Sequence, residues 1–183
     1  MINIRKILGM TSASILLLAL VGCSETDSTT AAPAAAPATL EAKLPSFDKV
    51  VPESIKSMPS YPDGKCAIDI INNPLKSDIT KIKRSEGINI YGWALDDKKG
   101  IVPPSVMLQL VMGKESFYAT LNRRNDREDL AKAFGKPEFS NAGFGATLDT
   151  TLLPVGQYEI FILQKGDESV MVCSTDSKLD VVD

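Results

Sequence analysis

The part of this chain from residue 63 to residue 183 predicts a mainly β fold, a β-sandwich of about eight short strands with one short helix. Two observations lead to this prediction. From Cys66 onward, apolar residues recur with a period of two, which is the repeat of side chains along a strand. Turn-forming stretches separate these alternating segments, at Asp96–Gly100, Pro154–Gly156 and Gly166–Asp167.

The alternation also places the individual strands. In chain order they are Cys66–Ile71, Ile79–Lys83, Gly87–Leu95, Val106–Met112, Ser116–Leu121, Gly143–Leu148, Gln157–Leu163, Val170–Ser174 and Leu179–Val182. In the third strand, Ile88 and Ile90 share one face while Tyr91 and Trp93 share the other. Large side chains on both faces indicate a central strand that is covered on both sides.

One helix interrupts the strands. Asn125 or Asp126 is expected to cap it, and Leu130, with its neighbour Ala131 and with Phe134, forms a small apolar face. Gly135 ends it. We expect this helix to cross from one sheet to the other.

Tyr158 is preceded by Leu153-Pro154-Val155-Gly156-Gln157, and this arrangement resembles the tyrosine corner of Ig-like sandwiches. The cysteine expected two residues later in antibody domains is replaced by Ile160. Shorter segments, at Gly92–Asp96, Arg127–Ala131, Gly143–Phe144 and Leu153–Tyr158, are similar to blocks in Ig-like modules of bacterial extracytoplasmic proteins. The resemblance implies an Ig-like β-sandwich and no catalytic residues.

The first 22 residues have the anatomy of a signal peptide. Arg5 and Lys6 form a positive start, and Ile7–Val21 is apolar or small. A permanent transmembrane anchor is the alternative, but a spanning helix needs about 20 strongly apolar residues. We therefore expect residues 1–22 to be removed.

The leader ends in Leu20-Val21-Gly22-Cys23, which resembles a bacterial lipobox. The resemblance implies that Cys23 is lipidated on its thiol and acylated on its new amino group, palmitate being the type of chain expected. The alternative is a small buried cysteine. Two or three acyl chains hold a protein durably at a membrane, whereas one does so only marginally. In Gram-negative bacteria an Asp directly after the lipidated cysteine is associated with retention at the inner membrane. This chain has Ser24 at that position, and by the same family rule the resemblance implies the outer membrane.

Residues 23–62 read as a tether. They include Ala31–Ala38, a run of Ala and Pro, and few large apolar side chains, so they bury too little surface to fold alone. Short helical turns are expected at Leu40–Leu44 and Pro52–Lys56.

With Cys23 assigned to lipid, Cys66 and Cys173 remain as an even pair in an oxidising compartment. A disulfide between them is the economical interpretation, and it would close a loop of about 108 residues. Two free buried thiols are the alternative.

Composition limits the chemistry. The formal charge is −3, and the acidic balance argues against nucleic acid as a partner. The chain has no histidine, so it offers no Ser-His or Cys-His pair and no ordinary zinc site. A calcium site at Asp96 and Asp97, with Asp63 or Asp69, lacks an EF-hand pattern. We expect no cofactor, no metal and no enzymatic activity.

Three residues are candidate ligand contacts: Trp93, Arg124 and Arg127. Trp93 with Tyr91 could form an aromatic platform for a sugar, or it could belong to the core. The arginines could meet an anionic glycan or a partner, or they could form internal ion pairs.

The expected function is a binding or scaffold module, anchored to the bacterial envelope, for a glycan or an envelope protein. The alternatives are an accessory subunit that pairs an edge strand in a larger complex and, third, a glycan-active enzyme.

Overall fold

The computed structural model of this chain describes residues 43–75 and 77–183. The predicted signal peptide (1–22), Cys23 and the first part of the tether (23–42) lie outside the described residues.

In these two ranges the chain forms eleven strands and one α-helix. The strands are β1 (Ser60–Tyr61), β2 (Lys65–Ile71), β3 (Asn73–Pro74), β4 (Ile79–Lys83), β5 (Ile88–Leu95), β6 (Ser105–Met112), β7 (Glu115–Thr120), β8 (Arg123–Asn125), β9 (Gly143–Leu148), β10 (Gly156–Lys165) and β11 (Val170–Val182). The helix α1 spans Glu128–Phe134, and 3₁₀ turns lie at Arg84–Glu86 and Pro137–Asn141. All the predicted strands are present, and the additional ones have only two or three residues.

The strands form two sheets, which confirms the predicted sandwich. One sheet has the order β3-β2-β5-β9-β8. The other has the order β1-β11-β10-β6-β7, with β4 parallel to the second half of β11. In Ig notation β2-β5-β9-β8 is A-B-E-D and β11-β10-β6 is G-F-C, so the strand order is that of an Ig-like domain. β7 occupies the position of strand C′.

The last two predicted strands are one continuous strand, β11. Glu159 of β10 pairs with Lys178, whereas Phe161 pairs with Ser174, so three residues of β11 oppose a single residue of β10. The hydroxyl of Thr175 donates a hydrogen bond of 2.9 Å to the carbonyl oxygen of Ile160 at this point. A bulge therefore replaces the expected break, because a side chain takes over the interrupted backbone pairing.

The helix differs from the prediction in two respects. Arg127 occupies the N-cap position and makes no side-chain capping hydrogen bond, so neither Asn125 nor Asp126 caps the helix. The helix also connects β8 to β9 within one sheet, and the crossing between sheets occurs earlier, between β7 and β8. Gly135 ends the helix in the left-handed conformation (φ 64°), as predicted.

Inward-facing residues of both sheets form the main core, which includes Ile90, Leu108, Leu148, Ile162 and Val181. Tyr158 is fully buried within it, and its phenolic oxygen donates a hydrogen bond of 2.5 Å to the carbonyl oxygen of Pro154. This is the geometry of a tyrosine corner at the start of strand F. Burial raises the pKa of Tyr158 to about 12.

The predicted disulfide is present between Cys66 on β2 and Cys173 on β11. The two Cα atoms are 6.1 Å apart, and the bond joins the two sheets through the first and last strands of the Ig order. Antibody domains join strands B and F instead, so the bridge is placed differently here.

Residues 43–59, which we call the strap, pack against the sandwich although composition places them in the tether. Phe47 is buried in the main core, and Asp48 exchanges two backbone hydrogen bonds (2.9 and 2.7 Å) with Tyr118 of β7. A single helical turn then follows Pro52, whose carbonyl oxygen accepts a hydrogen bond from Ile55. Ile55 covers the outer face of the second sheet, beside Leu163. Packed structure thus begins well before residue 62.

Candidate functional site

Two connections meet at one end of the sandwich. The B–C connection, residues 96–104, links β5 to β6, and the F–G loop, residues 166–169, links β10 to β11. Lys165, which ends β10, pairs with Ser105, which begins β6, so the two connections must be neighbours. In Ig variable domains the loops at this end form the binding surface, which makes this end a candidate site by fold analogy.

The B–C connection begins with a tight turn. The side chain of Asp96 accepts a hydrogen bond of 2.9 Å from the backbone N–H of Lys99, and Asp96 also exchanges backbone hydrogen bonds with Ile101. Gly100 adopts a positive φ of 73°, a conformation that favours glycine. The predicted turn at Asp96–Gly100 is therefore confirmed, and its carboxylate serves to hold it.

Two ion pairs fix the outside of this turn to the start of β2. Lys98 contacts both carboxylate oxygens of Asp63, at 2.6 and 2.7 Å, and Lys65 lies 3.0 Å from Asp97. The hydrogen bond from Lys65 lowers the pKa of Asp97, and the hydrogen bond to Asp63 raises the pKa of Lys98. Exposed pairs contribute little stability, but together they define the position of the turn.

Between the two connections lies a cleft of about 290 Å³, which we call the loop-end cleft. Its apolar lining includes Ile101, Pro104 and Met171, and its polar lining includes Asp96 and Lys99. The F–G loop contributes two more acidic residues, Asp167 and Glu168, to the same cleft.

The rim of the cleft carries side chains that are not used elsewhere. Within residues 43–75 and 77–183, the side chains of Lys99, Asp167 and Glu168 make no hydrogen bond or ion pair. Ile101 is 45% exposed although it is a large apolar residue. An exposed apolar side chain on a turn that is held in place, with unpaired charges around it on both connections, is a feature expected of a binding site.

A larger concavity, of about 500 Å³, lies between the strap and β7. Its charged lining is already satisfied, because Asp48 accepts a hydrogen bond from the N–H of Val50 and Glu53 pairs with Lys56. The loop-end cleft is smaller but offers free polar groups, and for this reason we regard it as the better candidate.

Trp93 does not form an open platform. It is partly buried on the outer face of β5, where it packs against the cluster formed by Leu95, Leu130 and Phe139 beneath the helix. Directly across the ladder it faces Gly143, and Tyr91 likewise faces Gly145. A Cβ atom built on Gly145 would lie 2.6 Å from the Tyr91 ring, so the aromatic ring covers a glycine of the neighbouring strand.

Arg127 and Arg124 both bind groups of the protein itself. Arg127 forms a two-point ion pair with Asp129 (2.9 and 2.7 Å) and contacts Asp69 on β2 at 2.8 Å, which fastens the helix to the sheet. Arg124 donates a hydrogen bond of 2.6 Å to the carbonyl oxygen of Pro103, and its partial burial lowers its pKa. Neither arginine lines the cleft, but Arg124 contacts Pro103, which does.

Each acidic residue considered for calcium already has a partner within the protein. Asp63 and Asp97 pair with lysines and Asp69 pairs with Arg127, while the carboxylate of Asp96 accepts a backbone N–H. No group of three or more His, Cys, Asp or Glu side chains within the described ranges is arranged to hold a metal ion. In the same part of the chain, no helix has the length and apolar character needed to cross a membrane.

The sequence identified both halves of the cleft only as turns. The stretches Asp96–Gly100 and Gly166–Asp167 are separated by more than sixty residues, and their meeting depends on the pairing of β6 with β10. The only signal in the sequence is that charged residues stand at both turns.

The fold and the cleft define an Ig-like β-sandwich with a candidate binding site between its B–C and F–G connections. Comparison of the chain with family models, with curated proteins and with solved structures finds no match.

Proposed function

We propose that this protein is a lipid-anchored binding module of the bacterial envelope that holds a partner in its loop-end cleft without chemical turnover. The observation that supports the proposal best is the cleft itself, in which a fixed turn presents the exposed Ile101 beside the unpaired Lys99, and the F–G loop adds the unpaired Asp167 and Glu168. Because the turn is already held in place, binding there incurs little cost in ordering the loop.

The anchor belongs to the proposal and derives from the lipobox resemblance. Replacing Cys23 with Ser removes the thiol that would carry the lipid. We expect the variant to leave the membrane fraction, while a conservative change at the neighbouring Ser24 to Thr leaves fractionation unchanged. Membrane retention of the Cys23→Ser variant would contradict the anchor but would leave the cleft untouched.

A photocrosslinking amino acid at Ile101 tests the cleft directly in the native envelope. We expect crosslinks to a discrete partner from this position, and none from Leu152, an apolar residue on the β9–β10 connection that is even more exposed (64%). Equal crosslinking from both positions would indicate contact without a specific site. Turnover of cell-wall substrates by the purified protein would favour the enzyme instead.

One observation supports a second candidate, the accessory subunit that pairs an edge strand. β7 is the last strand of its sheet, and within the described ranges its free edge is covered only at Tyr118, by Asp48 of the strap. The alternation of the ladder directs the backbone groups of Ser116 and Thr120 toward the same open side. Crosslinks from Thr120, with none from Ile101, would favour this candidate.

A further inference from the structure

We infer that the loop-end cleft binds a cationic alkyl group, an ammonium or guanidinium on an aliphatic stem, such as a lysine or arginine side chain presents. The inference rests on the proposed function and specifies the chemistry of its ligand.

The charge of the cleft selects a cation. Asp96, Asp167 and Glu168 contribute −3 and Lys99 contributes +1, which leaves −2 on the lining. The nearby ion pairs of Asp63 with Lys98 and of Lys65 with Asp97 are each neutral, so they do not offset this charge. A charged partner of positive sign would remove the repulsion between these carboxylates.

A buried carboxylate adds to the exposed ones. Asp96 lines the cleft but is only 4% exposed, and one of its carboxylate oxygens accepts the N–H of Lys99. The other oxygen receives no hydrogen bond from the residues that the structure describes. This oxygen is not among the unpartnered side-chain atoms that are shut off from solvent, so a ligand in the cleft can reach it. A carboxylate oxygen forms strong charge-assisted hydrogen bonds with an ammonium or guanidinium group.

The apolar part of the lining fits the stem of such a group. Ile101, Pro104 and Met171 present hydrocarbon next to the carboxylates, and long basic side chains characteristically pack their methylene groups on such surface. A cleft of about 290 Å³ is at the lower limit of small-molecule sites, a size that suits one side chain better than an oligosaccharide.

The test uses the purified full chain in detergent micelles and three probes. These are a capped Ala-Lys-Ala tripeptide, the same peptide with its lysine acetylated, and spermidine. Binding is followed by NMR through the backbone amides of Ile101 and Glu168. We expect saturable shift changes with the lysine peptide and none with the acetylated one, because acetylation removes the charge.

A double variant, Asp167→Asn with Glu168→Gln, should weaken lysine-peptide binding by about tenfold or more, as expected for loss of charge-assisted contacts. The matched control is Asp176→Asn with Glu159→Gln, which removes two exposed carboxylates outside the cleft and changes the net charge equally. Unchanged binding in the control shows that the position of the charges matters. Equal weakening in both variants would overturn the site.

The two sources of such a cation are separated by the probes. Tighter binding of the lysine peptide assigns the site to a protein partner, and tighter binding of spermidine assigns it to a free polyamine; both support a cation site. Binding of the acetylated peptide at equal strength, or binding of neither cation, overturns the inference. Persisting crosslinks from Ile101 in that case would retain the proposed function with another ligand.

Discussion

The guanidinium group of Arg124 reaches from β8, in one sheet, to the carbonyl oxygen of Pro103, which leads into β6 of the other sheet, at 2.6 Å. Pro103 is buried and belongs to the B–C connection. A single side chain thus ties the edge of one sheet to the wall of the cleft, and its role is to position that wall.

Replacing Arg124 with Met should lower the free energy of unfolding by about 1–3 kcal/mol, because a buried carbonyl loses its partner. Amide hydrogen exchange should also accelerate within residues 101–104. The control is Arg84→Met, since Arg84 pairs with Asp183 at the surface and should contribute little. Equal effects of both variants on exchange in the B–C connection would contradict a positioning role for Arg124.

The tyrosine corner predicts a pH dependence in the alkaline range. The unfolded chain releases the phenolic proton of Tyr158 near pH 10, whereas the folded protein retains it until about pH 12. The unfolded state therefore binds fewer protons between these values, and stability falls as pH rises through them, by up to about 2–3 kcal/mol. Urea unfolding of Tyr158→Phe should lack this part of the decrease. An identical pH profile in the variant would contradict the assignment.

The disulfide should contribute about 4–5 kcal/mol in the chain-entropy model, because it closes a long loop in the unfolded chain. The sequence separation of its cysteines is 107 residues. Denaturant unfolding with and without reductant measures the difference, and the Cys66→Ala/Cys173→Ala double variant should not respond to reductant. Equal stability of the oxidised and reduced wild type would show that the bridge does not constrain the unfolded state.

Gly92→Ala should destabilise the sandwich by about 2–4 kcal/mol, a cost typical of overpacking that the backbone must absorb. The new Cβ would lie 2.1 Å from the backbone oxygen of Ala67 on the neighbouring strand. Gly166→Ala is the control, because its nearest neighbour, the oxygen of Ser169, would be at an ordinary 3.4 Å. Thermal unfolding compares the two variants, and similar melting temperatures would contradict the close approach.

The ion pair between Arg127 and Asp129 predicts an acid-range titration. The hydrogen bond from Arg127 lowers the pKa of Asp129 from 3.8 to about 2. The contribution of this pair to stability is therefore present above about pH 4 and is lost as pH falls through about 2. An NMR titration of the Asp129 carboxyl should show the low midpoint, and Arg127→Met should return it toward 3.8. Persistence of the low value in Arg127→Met would assign it to another cause.

Local patterns predicted most of the fold because the alternation of apolar residues along a strand shows which of its side chains are buried. The alternation of Ile88 and Ile90 against Tyr91 and Trp93 gave the inner and outer faces of β5 correctly. The continuous β11 could not be predicted in the same way, since its bulge is held by a contact between Thr175 and Ile160 on a different strand. Long-range pairs of this kind leave no local signature.

The strap and the cleft were missed for related reasons. The Ala/Pro run and the later prolines of residues 23–62 made residues 43–59 resemble part of a tether. Phe47 nevertheless packs in the main core and Ile55 packs on the outer face of the second sheet. Backbone hydrogen bonds between Asp48 and Tyr118 hold the segment between them. The sequence shows Arg124 and Arg127 as one charge cluster, but their contacts in the fold differ. Arg124 lies within reach of the Pro103 carbonyl, whereas Arg127 lies within reach of the Asp129 carboxylate.

Joining the first Ig-order strand to the last gives the domain the topology of a covalent ring. A protease that cuts the B–C connection or the F–G loop acts between Cys66 and Cys173, so it opens the ring without releasing a fragment. Where peptidases meet these exposed loops, a nicked molecule would stay in one piece. On a non-reducing gel the cut chain would run as a single band, and reductant would divide it into two.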